Sequence, residues 1–116
     1  MDTVALVVGV LSDELDVPVS TEVPMTRPQR FALVSLDGDM SDPFILRPRF
    51  TIMCWGSTDI DAHGIALSAL HALADASQTH PYLSAVQLES LARDEWGRDG
   101  QARYALQVVC IINTDE

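Results

Sequence analysis

The sequence predicts an α+β fold, with a mostly antiparallel or mixed sheet of about four to five strands and two helices packed on one face. A strand pattern from Pro48 to Trp55 ends at Gly56 and leads through a very short turn into a long helical pattern. Alternating apolar residues mark further strands over residues 31–36, 83–92 and 103–112. The order helix, strands, helix, strands is typical of helices that lie against an antiparallel sheet.

The first helix is predicted over residues 2–15. Val4, Val7, Val8, Leu11 and Leu15 follow the three- and four-residue spacing of one helical face. The same valine-rich run also suits a buried strand, because β-branched residues lose little freedom there. The length of the run and its Ser-Asp-Glu cluster favour the helix.

The remaining elements follow from prolines, capping residues and turn residues. Residues 17–23, with Pro18 and Pro24 at the margins, are predicted to form a short edge strand. The second helix is predicted over residues 58–76, because Thr58 and Asp61 have the spacing of a helix-capping pair. Two turns are predicted, at residues 37–44 and 94–100.

Composition predicts one soluble domain over residues 1–116. The chain is 47% hydrophobic, which favours a packed core, and its net charge of -10 argues against nucleic-acid and anionic-lipid surfaces. All seven cations are arginine. Residues 4–11 are too few to cross a bilayer, and Asp2 stands where a signal peptide has basic residues. Cys54 and Cys110 lie in apolar strand patterns and are interpreted as buried, reduced thiols of a cytoplasmic protein.

The sequence predicts no catalytic, cofactor or metal site, and therefore no enzyme. His63 and His71 stand eight residues apart on one helix, which is not a zinc spacing, and both are interpreted as solvent-facing. His80 is interpreted as a loop residue. Asp37, Asp39 and Asp42 resemble a loose calcium loop but lack its glycine and bidentate glutamate.

The face of the sheet opposite the helices is the predicted interaction surface. It is expected to carry Met53 and Trp55 together with Ala32, Val34, Leu36, Val109 and Ile111. An apolar sheet face of this size suggests a partner subunit, although the first helix or a loop could also cover it. The arginines predicted to pair with acidic groups of neighbouring subunits are Arg27, Arg30, Arg47 and Arg49.

Three segments of the chain resemble tail terminator (tail completion) proteins of long-tailed bacteriophages and prophages. The first is residues 18–31, with Pro18, Pro24, Arg27, Pro28, Arg30 and Phe31. The second, and the most specific, is Arg-Pro-Arg-Phe-Thr-Ile-Met-Cys-Trp at residues 47–55, leading into the helix with the acidic start. The third is Gly-Gln-Ala-Arg-Tyr at residues 100–104, followed by Leu106 and Val108. The likeness spans nearly the whole chain in order.

This resemblance implies a structural virion protein, assembled in the host cytoplasm as a hexameric ring that caps the tail tube and joins it to the head connector. The loop with Asp37, Asp39 and Asp42 is then the candidate for contact with the tube. Two alternatives are a head-completion protein at the same vertex and a small ligand-binding α+β domain with a pocket around His63, His71 or Cys54.

Overall fold

Both helices pack against a curled, mixed sheet, so the predicted α+β fold class is confirmed. The computed structural model describes residues 2–26, 28–94 and 102–113. The helices in these ranges are α1 (Thr3–Glu14) and α2 (Asp59–Thr79). The strands in these ranges are β1 (Val19–Ser20), β2 (Phe31–Asp39), β3 (Ile45–Leu46), β4 (Pro48–Trp55), β5 (Leu83–Arg93) and β6 (Arg103–Asn113).

The helices begin where the sequence places capping residues. The Asp2 side chain accepts a hydrogen bond from the backbone N–H of Ala5 at 3.0 Å, so the first segment is a helix and not a strand. Thr58 Oγ1 accepts from the N–H of Asp61 at 3.1 Å, which confirms the predicted cap of α2. This helix ends at Thr79 and not at residue 76, because His80 continues the backbone ladder to Ala76 before the chain turns.

The strands form a sheet in the spatial order β1, β2, β4, β6, β5. All neighbouring pairs are antiparallel except β1 and β2, which are parallel. Strands β3 and β4 both pair with β6, and they do so in the same register: Leu46 pairs with Ile112, and Arg49 pairs with Val109. The two strands therefore form one nearly continuous strand along β6. The edge strand predicted over residues 17–23 is only Val19–Ser20.

The core lies between one face of the sheet and the two helices. As predicted, Phe50, Ile52 and Cys54 of β4 point toward the helices and are fully buried. Helix α2 presents a stripe of mostly small buried residues, namely Ala62, Ile65, Ala66, Ala69, Ala72 and Leu73. Small side chains allow this helix to lie close to the sheet.

The prediction that Ala32, Val34 and Leu36 lie opposite the helices is wrong. Leu36 pairs with Phe50, a buried core residue, and therefore lies on the helix-facing side of β2. Ala32 pairs with Cys54 and Val34 pairs with Ile52, and paired residues lie on the same face, so both belong to the helix-covered core. Strand β2 is apolar on both faces, with Phe31 and Leu33 on the other side. When a strand has apolar side chains on both of its faces, its sequence does not show which face the helices cover.

Candidate interaction surfaces

The sheet face opposite the helices, called the open face below, carries no helix within the described residues. The alternative that α1 covers it is wrong, because Val7 and Leu11 of α1 join the core on the other side. Cross-strand rows on the open face include Leu33–Met53–Ala105 and Ser35–Thr51–Gln107. Further along the strands, it carries Gly38, Arg49, Gln87, Val109 and Ile111. Met53, Val109 and Ile111 therefore lie there as predicted, and all three are half-buried.

Trp55 belongs to the same side of β4 but is not exposed. It retains only 5% of its accessible surface, because the Phe31 ring lies 5.5 Å away and the guanidinium of Arg103 lies 5.6 Å above its ring. Arg103 in turn pairs with Asp94 at 2.8 Å. This cluster closes one end of the open face, so the expectation that Trp55 is exposed there is wrong. A role of Trp55 in contacts with a neighbour stays a prediction.

Three exposed apolar side chains lie on the hairpin that leads from β2 through β3 into β4. Leu36 is 45% exposed, Met40 70% and Phe44 80%. The hairpin continues beyond the strands, since the N–H of Met40 donates to the carbonyl of Arg47 and the N–H of Asp42 donates to that of Ile45. Exposed apolar side chains that lie together on one hairpin are a candidate interaction site.

The three aspartates of this hairpin hold its backbone in shape. Asp42 accepts hydrogen bonds from the N–H groups of Phe44 at 2.9 Å and Ile45 at 2.8 Å, and it pairs with Arg47 at 3.0 Å. These backbone donors and then Arg47 lower the pKa of the Asp42 carboxyl below its usual value. Asp39 binds Ser41, and Asp37 binds Thr51 across the strands. In the described ranges no group of three or more His, Cys, Asp or Glu side chains could hold a metal ion.

The described arginines have acidic partners within the chain. Of the seven arginines, Arg27 and Arg98 lie outside the described residues, which leaves five. The intrachain pairs are Arg30–Asp61 at 2.9 Å, Arg47–Asp42 at 3.0 Å, Arg49–Glu89 at 3.0 Å, Arg93–Asp59 at 3.3 Å and Arg103–Asp94 at 2.8 Å. A role of Arg30, Arg47 and Arg49 in contacts with a neighbour stays a prediction, and any such contact would share side chains that are already paired.

Arg49 and Glu89 form a two-pronged pair across the open face. Both Arg49 Nε and Nη2 lie 3.0 Å from the Glu89 carboxylate. Because β4 and β5 flank β6 on opposite sides, this pair crosses over β6 near Val109. Glu89 is the extra residue of a bulge in β5. Because a bulge changes which residues lie opposite each other, the sequence pattern did not predict this pair.

Asp61 joins the start of α2 to the segment before β2. Its carboxylate accepts from Arg30 Nε at 2.9 Å and Nη2 at 3.1 Å, and from the N–H of Ser57 at 2.9 Å. Arg30 also approaches Asp16 at 3.6 Å. The hydrogen bonds from Arg30 and then from Ser57 lower the pKa of the Asp61 carboxyl. The side chain that the sequence identified only as a capping residue is therefore also a tertiary contact.

We expect the contribution of this contact to depend on pH. Because the pKa of Asp61 is lower in the folded state, its stabilising effect is present above the unfolded pKa of about 3.9 and is lost as the pH falls through the folded pKa. Asp61→Asn, Arg30→Gln and the double variant should show a coupling in urea unfolding at pH 7 that disappears in acid. A coupling that is unchanged in acid would contradict this assignment.

The histidines and cysteines lie in different surroundings within the chain. His63 is half-buried with its ring 5.1 Å from the Tyr104 ring, so the prediction that it faces solvent is wrong, whereas His71 is exposed as predicted. His80 Nδ1 accepts from the N–H groups of Tyr82 and Leu83 and thereby holds the turn after α2. Cys54 and Cys110 are buried and free, and burial raises the pKa of each thiol to about 12.

Two surface cavities lie beside the helices. One, of about 520 Å³, lies between the ends of α1 and α2 and is lined by Asp13, Glu14, Asp75 and His80 among others. The other, of about 390 Å³, surrounds the Arg30–Asp61 pair next to Ile60 and Gly64. Neither is lined by His63, His71 or Cys54, the residues on which a ligand-binding pocket was predicted.

Comparison of the chain with protein-family models and with curated protein sequences finds no match. Within the described residues, neither helix combines the length and the apolar character that crossing a membrane requires.

Proposed function

We propose that this chain is a structural, non-catalytic virion subunit of the tail terminator type. In this role, copies of it form a ring that caps a phage tail tube, stops its polymerisation and joins it to the head. The proposal is motivated by the resemblance of residues 18–31, 47–55 and 100–108 to that family. The observation that carries it is a sheet with an open face and a preorganised hairpin whose Met40 and Phe44 are 70% and 80% exposed.

The hairpin suits contact with another protein better than contact with a small molecule. Its exposed tip is held in one shape by Asp42, Arg47 and the backbone, so binding would cost little additional ordering. Asp37, Asp39 and Asp42 surround the apolar residues. A tube surface with an apolar pocket and a basic rim would match this tip.

The acidic charge suits the proposed position in a virion. With a net charge of -10 per copy, a ring would repel DNA that passes through its lumen, because phosphates and carboxylates repel over a Debye length of about 8–10 Å. The same charge opposes association between copies. Assembly of this chain is therefore expected to depend on ionic strength.

Light scattering over a range of protein concentrations tests the self-association. We expect oligomers whose assembly midpoint falls several-fold as salt rises from about 0.1 M to about 1 M, because the Debye length shortens from about 10 Å to about 3 Å. A contact that depends mainly on ion pairs would weaken with salt, which is the opposite result.

Addition of the protein to purified tail tubes and to filled heads tests the assignment to the tube. Tubes that stop growing and carry the protein at one end support the proposal. Binding to heads alone would favour a head-completion protein instead. A chain that stays monomeric at every concentration and alters neither tubes nor heads would contradict both assignments.

A further inference from the structure

We infer that copies of this chain join head to tail through their sheet edges, with β5 of one copy beside β2 of the next. This inference rests on the proposed ring-forming function and specifies the contact that closes the ring. It starts from the two edges of the sheet. Strand β5 pairs with β6 on one side only, and β1 covers β2 only at Ala32 and Leu33. Among the described residues, the edge of β2 that faces away from β4 therefore has no strand partner over residues 34–39. Unpaired edges are sites at which another strand can add.

The directions of the strands permit a ring in which all copies have the same orientation. Strand β2 is antiparallel to β4, β4 to β6, and β6 to β5, so β5 runs opposite to β2. When an identical copy is placed beside the first without inversion, β5 meets β2 of that copy as an antiparallel pair. A head-to-tail contact of this kind uses two different edges and closes by rotation.

One cross-strand row indicates the register of the contact. Leu36, Phe50, Val108 and Leu88 lie side by side on the helix-facing side of β2, β4, β6 and β5. The two central residues are fully buried, whereas Leu36 is 45% exposed and Leu88 is 52% exposed. Each leucine thus ends the row at one edge of the sheet. Placing Leu88 opposite Leu36 of the next copy continues the apolar row across the joint and covers both leucines.

The neighbouring positions in this register are compatible in charge. If Leu88 faces Leu36, then Gln87 lies near Asp37 of the next copy. Asp37 is the extra residue of a bulge in β2, and its side chain bonds Ser35 on the open face, the face to which Gln87 also belongs. The amide of Gln87 can donate a hydrogen bond to the Asp37 carboxylate. This register therefore places a neutral side chain, and not a second carboxylate, next to Asp37. This matters because the described arginines are already paired within the chain.

The bulges of β5 limit the pairing to a defined segment. Register shifts occur between Leu83 and Ala85 and between Leu88 and Ser90, so residues 85–88 form the regular part of this edge. Bulges disfavour pairing along the whole edge of a sheet. Only the short segment between the two bulges is therefore available to pair with a neighbouring copy. A two-fold contact between two β5 strands would leave Leu36 exposed in both copies, and for that reason the head-to-tail contact is preferred.

Disulfide trapping tests the register directly. Leu36→Cys and Leu88→Cys are prepared as separate variants, mixed under the conditions of assembly and oxidised. Facing cross-strand side chains have Cβ atoms about 5 Å apart, near the separation that a disulfide spans. We expect a disulfide between the two variants at least tenfold more abundant than in either variant alone. Ile60→Cys, at an 86% exposed position on α2, is the control, and the native thiols are fully buried.

The outcomes separate this inference from the proposed function. Mixed disulfides, together with a loss of assembly of at least tenfold in Leu88→Asp and Leu36→Asp with unchanged monomer unfolding, support the edge contact. Disulfides of Leu88→Cys with itself, or yields equal to those of Ile60→Cys, would overturn it. Assembly by light scattering without mixed disulfides overturns the edge contact alone, whereas absence of assembly and of tube capping overturns the proposed function as well.

Discussion

Replacement of Gly56 by alanine is expected to destabilise the protein by about 3 kcal/mol, the upper range for overpacking of a tight site. An added Cβ at this position would lie 2.3 Å from the backbone nitrogen of Ala62 and 2.7 Å from its Cα. These are backbone atoms of the first turn of α2, which cannot rotate away as a side chain could. Either the helix must shift on the sheet or the end of β4 must move.

Gly64→Ala provides the matched control, because Gly64 lies in the same helix and an added Cβ would meet nothing within 4 Å. Here alanine should stabilise the protein by about 0.5–1 kcal/mol, since glycine is costly in a helix interior. Urea unfolding of the two variants measures both effects. Equal effects in the two variants would contradict the close approach of β4 to α2.

Truncation of Phe50 to alanine is expected to cost about 4 kcal/mol of unfolding free energy. Phe50 is 0% exposed and lies in the middle of the Leu36–Phe50–Val108–Leu88 row, on a strand with neighbours on both sides. The cavity left behind would be enclosed by β2, β6 and the helices, so the surrounding structure could close it only in part.

Leu36→Ala is the matched control for Phe50→Ala. Leu36 belongs to the same row, but it is 45% exposed at the edge of the sheet, and its truncation should cost about 1 kcal/mol or less. Urea unfolding of the monomer compares the two directly. If Leu36→Ala destabilised the monomer as much as Phe50→Ala, Leu36 would be a core residue and not an available contact residue.

The secondary structure was largely predictable because its signals are local. Thr58 and Asp61 mark the start of α2, Pro48 and Gly56 enclose β4, and the alternation of β6 runs from Arg103 to Asn113. The turn predicted over residues 37–44 begins later than expected, because β2 continues through Asp39. The predicted turn at residues 94–100 lies outside the described residues except for Asp94.

The candidate contact surfaces were less predictable, because they depend on which residues meet across the sheet. Leu36 and Leu88 are separated by more than fifty positions in the sequence, and they share a row only through the registers of three strand pairs. Of the arginines identified as contact residues by their type, the three that the structure describes are Arg30, Arg47 and Arg49. They pair with Asp61, Asp42 and Glu89, respectively.

The order of the two helices and the longer strands, the start of α2 and the apolar alternation of β4 and β6 follow from caps, prolines and side-chain periodicity along the chain. The assignment of faces does not, because β2 is apolar on both sides and a one-residue difference in register exchanges them. Long-range pairing buried Trp55 against Phe31 and Arg103, placed Ala32 and Val34 beneath the helices, and left Leu36 and Leu88 at opposite edges of one row.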